Sequence, residues 1–168
     1  LLVLLQPVLA HDDWIRIDVD QKALLNNVRP ASTAKIHVNA GSRVYYKFGP
    51  EFEVYDEYIK AAIDPLPHLG LPLTFSYGYT ASASPVDLTV PVVFVSDLEV
   101  PMQTSTVYSA SSGRILGETI FIRSDFFSIF QPFVFVNFLL HELGHTLGLW
   151  HSQFIGKIMH SSGKMVGV

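Results

Sequence analysis

Histidines at positions 141, 145 and 151, with a glutamate at 142, form the segment HELGHTLGLWH at residues 141–151. If the apolar run 133–147 is helical, His141 and His145 stand four residues apart on one face, so both imidazoles can reach a single small ion. Gly148 falls where the end of a helix often needs left-handed backbone, which glycine adopts without steric cost. A turn there can carry His151 back to the same ion. Three neutral imidazoles with one open position is the coordination of a catalytic zinc, whereas a structural site is closed by a fourth protein ligand. Glu142 is then left to act on water in the open position. The alternative is three hydrogen-bonded histidines on an amphipathic helix and its exit loop. A helix otherwise so apolar gains nothing from buried imidazoles unless something satisfies their nitrogens.

The elements that must position these residues can be read from periodicity. Residues 34–39, AKIHVN, alternate as a half-buried strand does, and AGS closes the stretch. A helix is expected over 51–63, where Phe52, Tyr55, Ile59, Ala62 and Ile63 recur at three- and four-residue intervals and Pro65 stops it. Strands follow at 71–79, 90–96, 104–110 and 114–123, bounded by proline, glycine or serine clusters. The helix of the histidines starts near Pro132, whose missing N–H needs no partner in a first turn. Val134 and Phe138 precede His141 by seven and three residues and so share its side, while Leu140, Leu143 and Leu147 fall towards the core.

Eight residues beyond His151 lies Met159, within KIMHSS. HExxHxxGxxH followed by such a methionine resembles the metzincin zinc endopeptidases. Within that clan, HELGHTLGLWHS with Met159 at this spacing most resembles the matrixins, the matrix-metalloproteinase-like group. Ile158, Met159 and His160 are also what astacin-like enzymes show at this turn, but Ser161 stands where their tyrosine ligand would be. The resemblance implies that His141, His145 and His151 bind one Zn2+, that Glu142 is the acid/base, and that Met159 is an apolar floor under the metal. By residue type alone, Met159 is ordinary core. The implied fold is α+β: a metzincin-like catalytic domain with a twisted mixed sheet of about five strands, two long helices, the active-site helix at the cleft and a short lower subdomain after the third histidine.

Enzymes of this kind bind a protein or peptide substrate as an extended strand added to a sheet edge. Residues 104–110, TSTVYSA, suit that edge, which makes Thr106, Val107, Tyr108 and Ser109 substrate-binding candidates; a covered edge or a plain loop is the alternative. His160 and Ser161 fall where such enzymes wall the pocket for the residue after the scissile bond. No histidine lies between His68 and His141, so the second, structural zinc of vertebrate-type matrixins is not expected. Ca2+ stands behind Zn2+ as an expected ion, because Asp87, Asp97, Glu99, Glu118 and Asp125 are scattered and mostly read as solvated surface charges.

Composition narrows the remaining classes. The chain has 168 residues, 49% of them hydrophobic, which is enough for one domain with a sizeable core. Only 15% are charged, the net charge is −4 and no basic run occurs, so nucleic acid is not an expected partner. The absence of cysteine excludes disulfides and thiolate-bound zinc without deciding the compartment. LLVLLQPVLA at residues 1–10 resembles the tail of a secretory signal peptide, with Val8 and Ala10 at the cleavage positions, so a secreted protein starting near His11 is expected. A buried strand is the other reading of that stretch. The apolar run 126–140 is broken by Gln131, Pro132 and Asn137 and falls short of the roughly twenty residues a membrane span needs. Nine residues follow Met159, too few for a closing helix, so 11–168 reads as one catalytic domain truncated at its C-terminus. The rival function is a non-catalytic secreted domain of the same fold that binds a partner. Glu142 stands against it, since a binding module has no evident reason to keep an acid between two ligands.

Overall fold

The computed structural model describes residues 38–109, 111–149 and Met159, and in these the chain builds an α+β arrangement around a five-stranded mixed sheet. In chain order the elements are β1 (Arg43–Phe48), a 3-10 helix (Pro50–Tyr55), α1 (Asp56–Ile63), a short 3-10 turn (Leu66–Leu69), β2 (Thr74–Gly78), β3 (Leu88–Val95), β4 (Met102–Tyr108), β5 (Ile115–Arg123), α2 (Phe126–Ile129) and α3 (Pro132–Thr146). The strands lie in the order β2-β1-β3-β5-β4. β1 runs parallel to β2 and β3, β3 is parallel to β5, and β4 returns antiparallel beside β5 at the sheet's edge. Among the described residues, no helix is long and apolar enough to cross a membrane.

The first strand is not where alternation places it. Residues 34–37 of the expected strand 34–39 lie outside the described residues, and Val38 and Asn39 are not in a strand. Pairing begins at Arg43, after Gly41 turns the chain with φ of 83°. The reason is burial on both faces. Val44, Tyr45, Tyr46 and Phe48 are all buried, and a strand between two parallel neighbours shows a continuous apolar run in place of period two.

The helix expected over 51–63 also divides. Pro50–Tyr55 is a 3-10 helix, whose three-residue repeat sets Phe52 and Tyr55 on one side. Phe52 stacks on Phe94 with centroids 4.1 Å apart, and Tyr55 stacks on Phe127 at 3.6 Å. The α-helix proper is α1, of 8 residues, and its first residue, Asp56, accepts hydroxyls from Tyr77 at 3.1 Å and Tyr79 at 2.6 Å. Of the two long helices expected, the described residues therefore hold one, the 15-residue α3.

Helix α3 begins at Pro132, as its sequence indicates, and packs against α1 and across β4. Phe135, Val136, Leu139, Leu140 and Leu143 are buried on it, and burying each such side chain is worth about 1.5–3 kcal/mol. Phe126 of α2 meets Phe135 and Phe138 edge-on at 5.8 and 5.5 Å, which anchors the start of α3 beside the end of β5. What remains half-open on α3 is a stripe through Val134, Phe138, His141 and His145.

Candidate functional site

That stripe carries two of the candidate residues, His141 and His145. His141 and His145 stand one turn apart with ring centroids 4.7 Å apart and their Nε2 atoms 3.1 Å from each other. The tautomer of His145 follows from its other nitrogen. Nδ1 lies 2.9 Å from the Leu149 carbonyl, which can only accept, so Nδ1 carries the proton and Nε2 keeps a bare lone pair. Two nitrogens on one tetrahedral zinc at about 2.0–2.1 Å would stand roughly 3.3 Å apart, so this pair fits the ion with little movement.

Leu149 is in place because the helix ends as the glycine spacing implies. Gly148 takes φ of 88°, and its N–H donates to the His145 carbonyl at 2.9 Å. The Leu149 N–H then donates back to Gly144 at 3.1 Å. A carbonyl holding the outer nitrogen of an imidazole is the usual device for aiming the inner one at a metal. His151 lies outside the described residues, as do His160 and Ser161. Among the described residues, no three His, Cys, Asp or Glu side chains form a group able to hold an ion.

Glu142 lies in the contact between α3 and β4. It is 4% exposed, and its Oε2 accepts the Thr104 hydroxyl at 2.7 Å. Burial pushes its carboxyl up to about 7, against the opposing pull of the hydrogen bonds from Thr104. A carboxyl in that range exchanges its proton readily near neutral pH, as a general base and acid must.

The last turn of α3 is tied to the sheet by a buried chain of hydroxyls. Thr146 donates to the Leu143 carbonyl at 2.8 Å, so Tyr46 of β1 donates to Thr146 Oγ1 at 2.9 Å. Burial raises the Tyr46 phenol above its ordinary value, so it stays a neutral donor. Tyr46→Phe keeps the ring and removes one buried hydrogen bond, and is expected to lower stability by about 1 kcal/mol. Urea denaturation of the two proteins checks this, and an equal or higher midpoint for Tyr46→Phe would refute it.

Compared with known proteins, the chain matches no family model, no curated protein and no solved structure.

Of the candidate substrate residues, Thr106, Val107 and Tyr108 do lie on the edge strand β4, but they do not act alike. Thr106 turns inward and donates to Glu118 Oε1 at 3.0 Å. Val107 is exposed, and Tyr108 packs against the core after an irregularity in the pairing. Ser109 has left the strand; its N–H donates to the Arg114 carbonyl in the turn to β5. Met159 is fully buried in the core.

Two residues at this place escaped the sequence reading. Thr104 was legible only as the start of a strand, since nothing local shows what its hydroxyl meets. Glu118, grouped with the surface acids, is in fact 4% exposed. Its signal was present: in RILGETIFIR it shares period-two parity with Ile120 and Ile122, both wholly buried. Asp87 and Asp125 do sit at the surface, paired with Arg43 at 3.2 Å and Arg123 at 2.6 Å.

Proposed function

We propose that this chain is a zinc-dependent endopeptidase of the metzincin type, closest to the matrixins, that hydrolyses peptide bonds of proteins or peptides. The observation that carries the reading is the pair of imidazoles, Nε2 to Nε2 at 3.1 Å, with a buried carboxyl between them in sequence. In this reading α3 is the active-site helix and Met159 is the floor of the site. His141, His145 and His151 would hold the ion, which when bound supplies a Lewis acid that acidifies water and polarises a carbonyl.

The chain's own contribution is proton transfer and alignment. Glu142 takes a proton from water as its oxygen adds to the peptide carbonyl carbon, and gives it to the nitrogen as the C–N bond breaks. Substrate lies extended along β4, whose outward residues Gln103, Ser105 and Val107 are exposed.

Purified protein incubated with a mixed peptide library is expected to cleave it, to stop in a chelator and to resume when zinc is returned. Metal analysis is expected to find one zinc per chain. Absent cleavage, or cleavage indifferent to the chelator, would overturn the assignment.

A further inference from the structure

Strand β4 turns two threonines to the side of the sheet that α3 crosses, and each donates its hydroxyl to a buried glutamate. Thr106 meets Glu118 on the neighbouring strand, a contact within the sheet. Thr104 meets Glu142 on the helix, which joins two separate elements at the reacting group. Its oxygen also lies 3.3 Å from the Glu142 carbonyl, but a hydroxyl has one proton, and the shorter contact, 2.7 Å to Oε2, takes it.

A glutamate side chain turns about three bonds and would sample several orientations at an open helix surface. Threonine is branched at Cβ and stiff about its first torsion, and here that atom is carried by a strand paired to β5 through Ile120. The hydroxyl therefore stands in one place, and a carboxylate held by one oxygen presents the other in one direction. Small displacements of a proton-transferring group are expensive: an error of about 1 Å can cost on the order of 100-fold in rate.

We propose that Thr104 is a positioning residue for Glu142, its hydroxyl fixing Oε2 so that Oε1 is left to meet the attacking water. The inference rests on the peptidase reading and adds to it a contact between the candidate substrate strand and the proton carrier. It also makes threonine or serine, and no apolar residue, the side chain this position requires.

The test uses Thr104→Val, which keeps the shape and removes the donor, and Thr104→Ser, which restores the donor. In the zinc-loaded protein Thr104→Val is expected to lower kcat about 10-fold with KM and zinc content unchanged, and Thr104→Ser to recover most of the loss. In the metal-free protein, the change that Thr104→Val makes in the thermal unfolding midpoint is expected to vanish in the Glu142→Ala background, because the partner is gone. Cleavage at the wild-type kcat by Thr104→Val, a change confined to KM, or a Thr104→Ser variant as slow as Thr104→Val would overturn the inference and leave the peptidase reading standing. A wild-type protein that loads zinc and cleaves nothing would overturn both.

Discussion

Zinc-loaded protein carrying Glu142→Ala is expected to cleave peptides about 100- to 10,000-fold more slowly than the wild type, the usual contribution of a positioned acid/base. Its zinc content and fold are expected to be unchanged. Glu142 follows His141 in sequence, yet its side chain lies in the α3–β4 contact and meets Thr104, so it is not expected to take part in holding an ion. Removing it also relieves the fold of a carboxyl that burial disfavours in its charged form. Metal analysis, circular dichroism and turnover on the same preparation separate the effects. Turnover equal to that of the wild type would show that another group moves the proton, while lost zinc would make Glu142 a ligand.

The second large effect concerns stability and has the opposite sign from an ordinary core substitution. A glutamate that titrates near 4.5 in the unfolded chain and about 7 in the fold keeps its proton in the folded state over that interval, while the unfolded chain releases it. Ionising Glu142 in the fold therefore works against folding, and stability falls as pH rises from about 4.5 through 7. At pH 8 the penalty is roughly 3 kcal/mol, and at pH 5 it shrinks to under about 1 kcal/mol. Glu142→Gln keeps the shape and the acceptor for Thr104 but cannot ionise. In the metal-free protein it is expected to raise the unfolding midpoint clearly at pH 8 and little at pH 5. Thermal melts of both proteins in chelator across that range decide the matter. A midpoint lowered by Glu142→Gln at pH 8, or a difference that ignores pH, would refute it.

The two predictions together describe one compromise. A carboxyl buried enough to titrate near neutrality suits proton transfer, and the same burial weakens the metal-free fold.

Some of this architecture is legible in the sequence. The helix of the histidines shows a proline at its start, a four-residue histidine spacing and a glycine at its exit, all local signals. The structure places α3 from Pro132 with Gly148 left-handed, and the two imidazoles meet. The last four strands were also readable, to within three residues at each end, because turn residues bound them. What failed, failed for a shared reason. β1 was missed because a strand buried on both faces carries no alternation, and the expected single helix over 51–63 hid a 3-10 segment shaped by Phe94 and Phe127. Glu118 was read by its residue type, where parity with Ile120 and Ile122 would have placed it inside.

Local arrangement, then, was determined by the sequence itself: which side chains share one face of the helix, and where the helix that holds them begins and ends. These follow from spacing along one element, and the backbone repeat of a helix converts spacing into proximity without help from the rest of the chain. The environment of those residues was decided only by the tertiary structure. That Thr104, 38 positions away, holds Glu142, and that Tyr46, 100 positions away, holds the end of the helix, depends on how strands order themselves in the sheet. Burial of the carboxyl, and hence its titration near 7, arises from the same packing. No local pattern encodes such contacts, because they are made between surfaces that meet only once the core has closed.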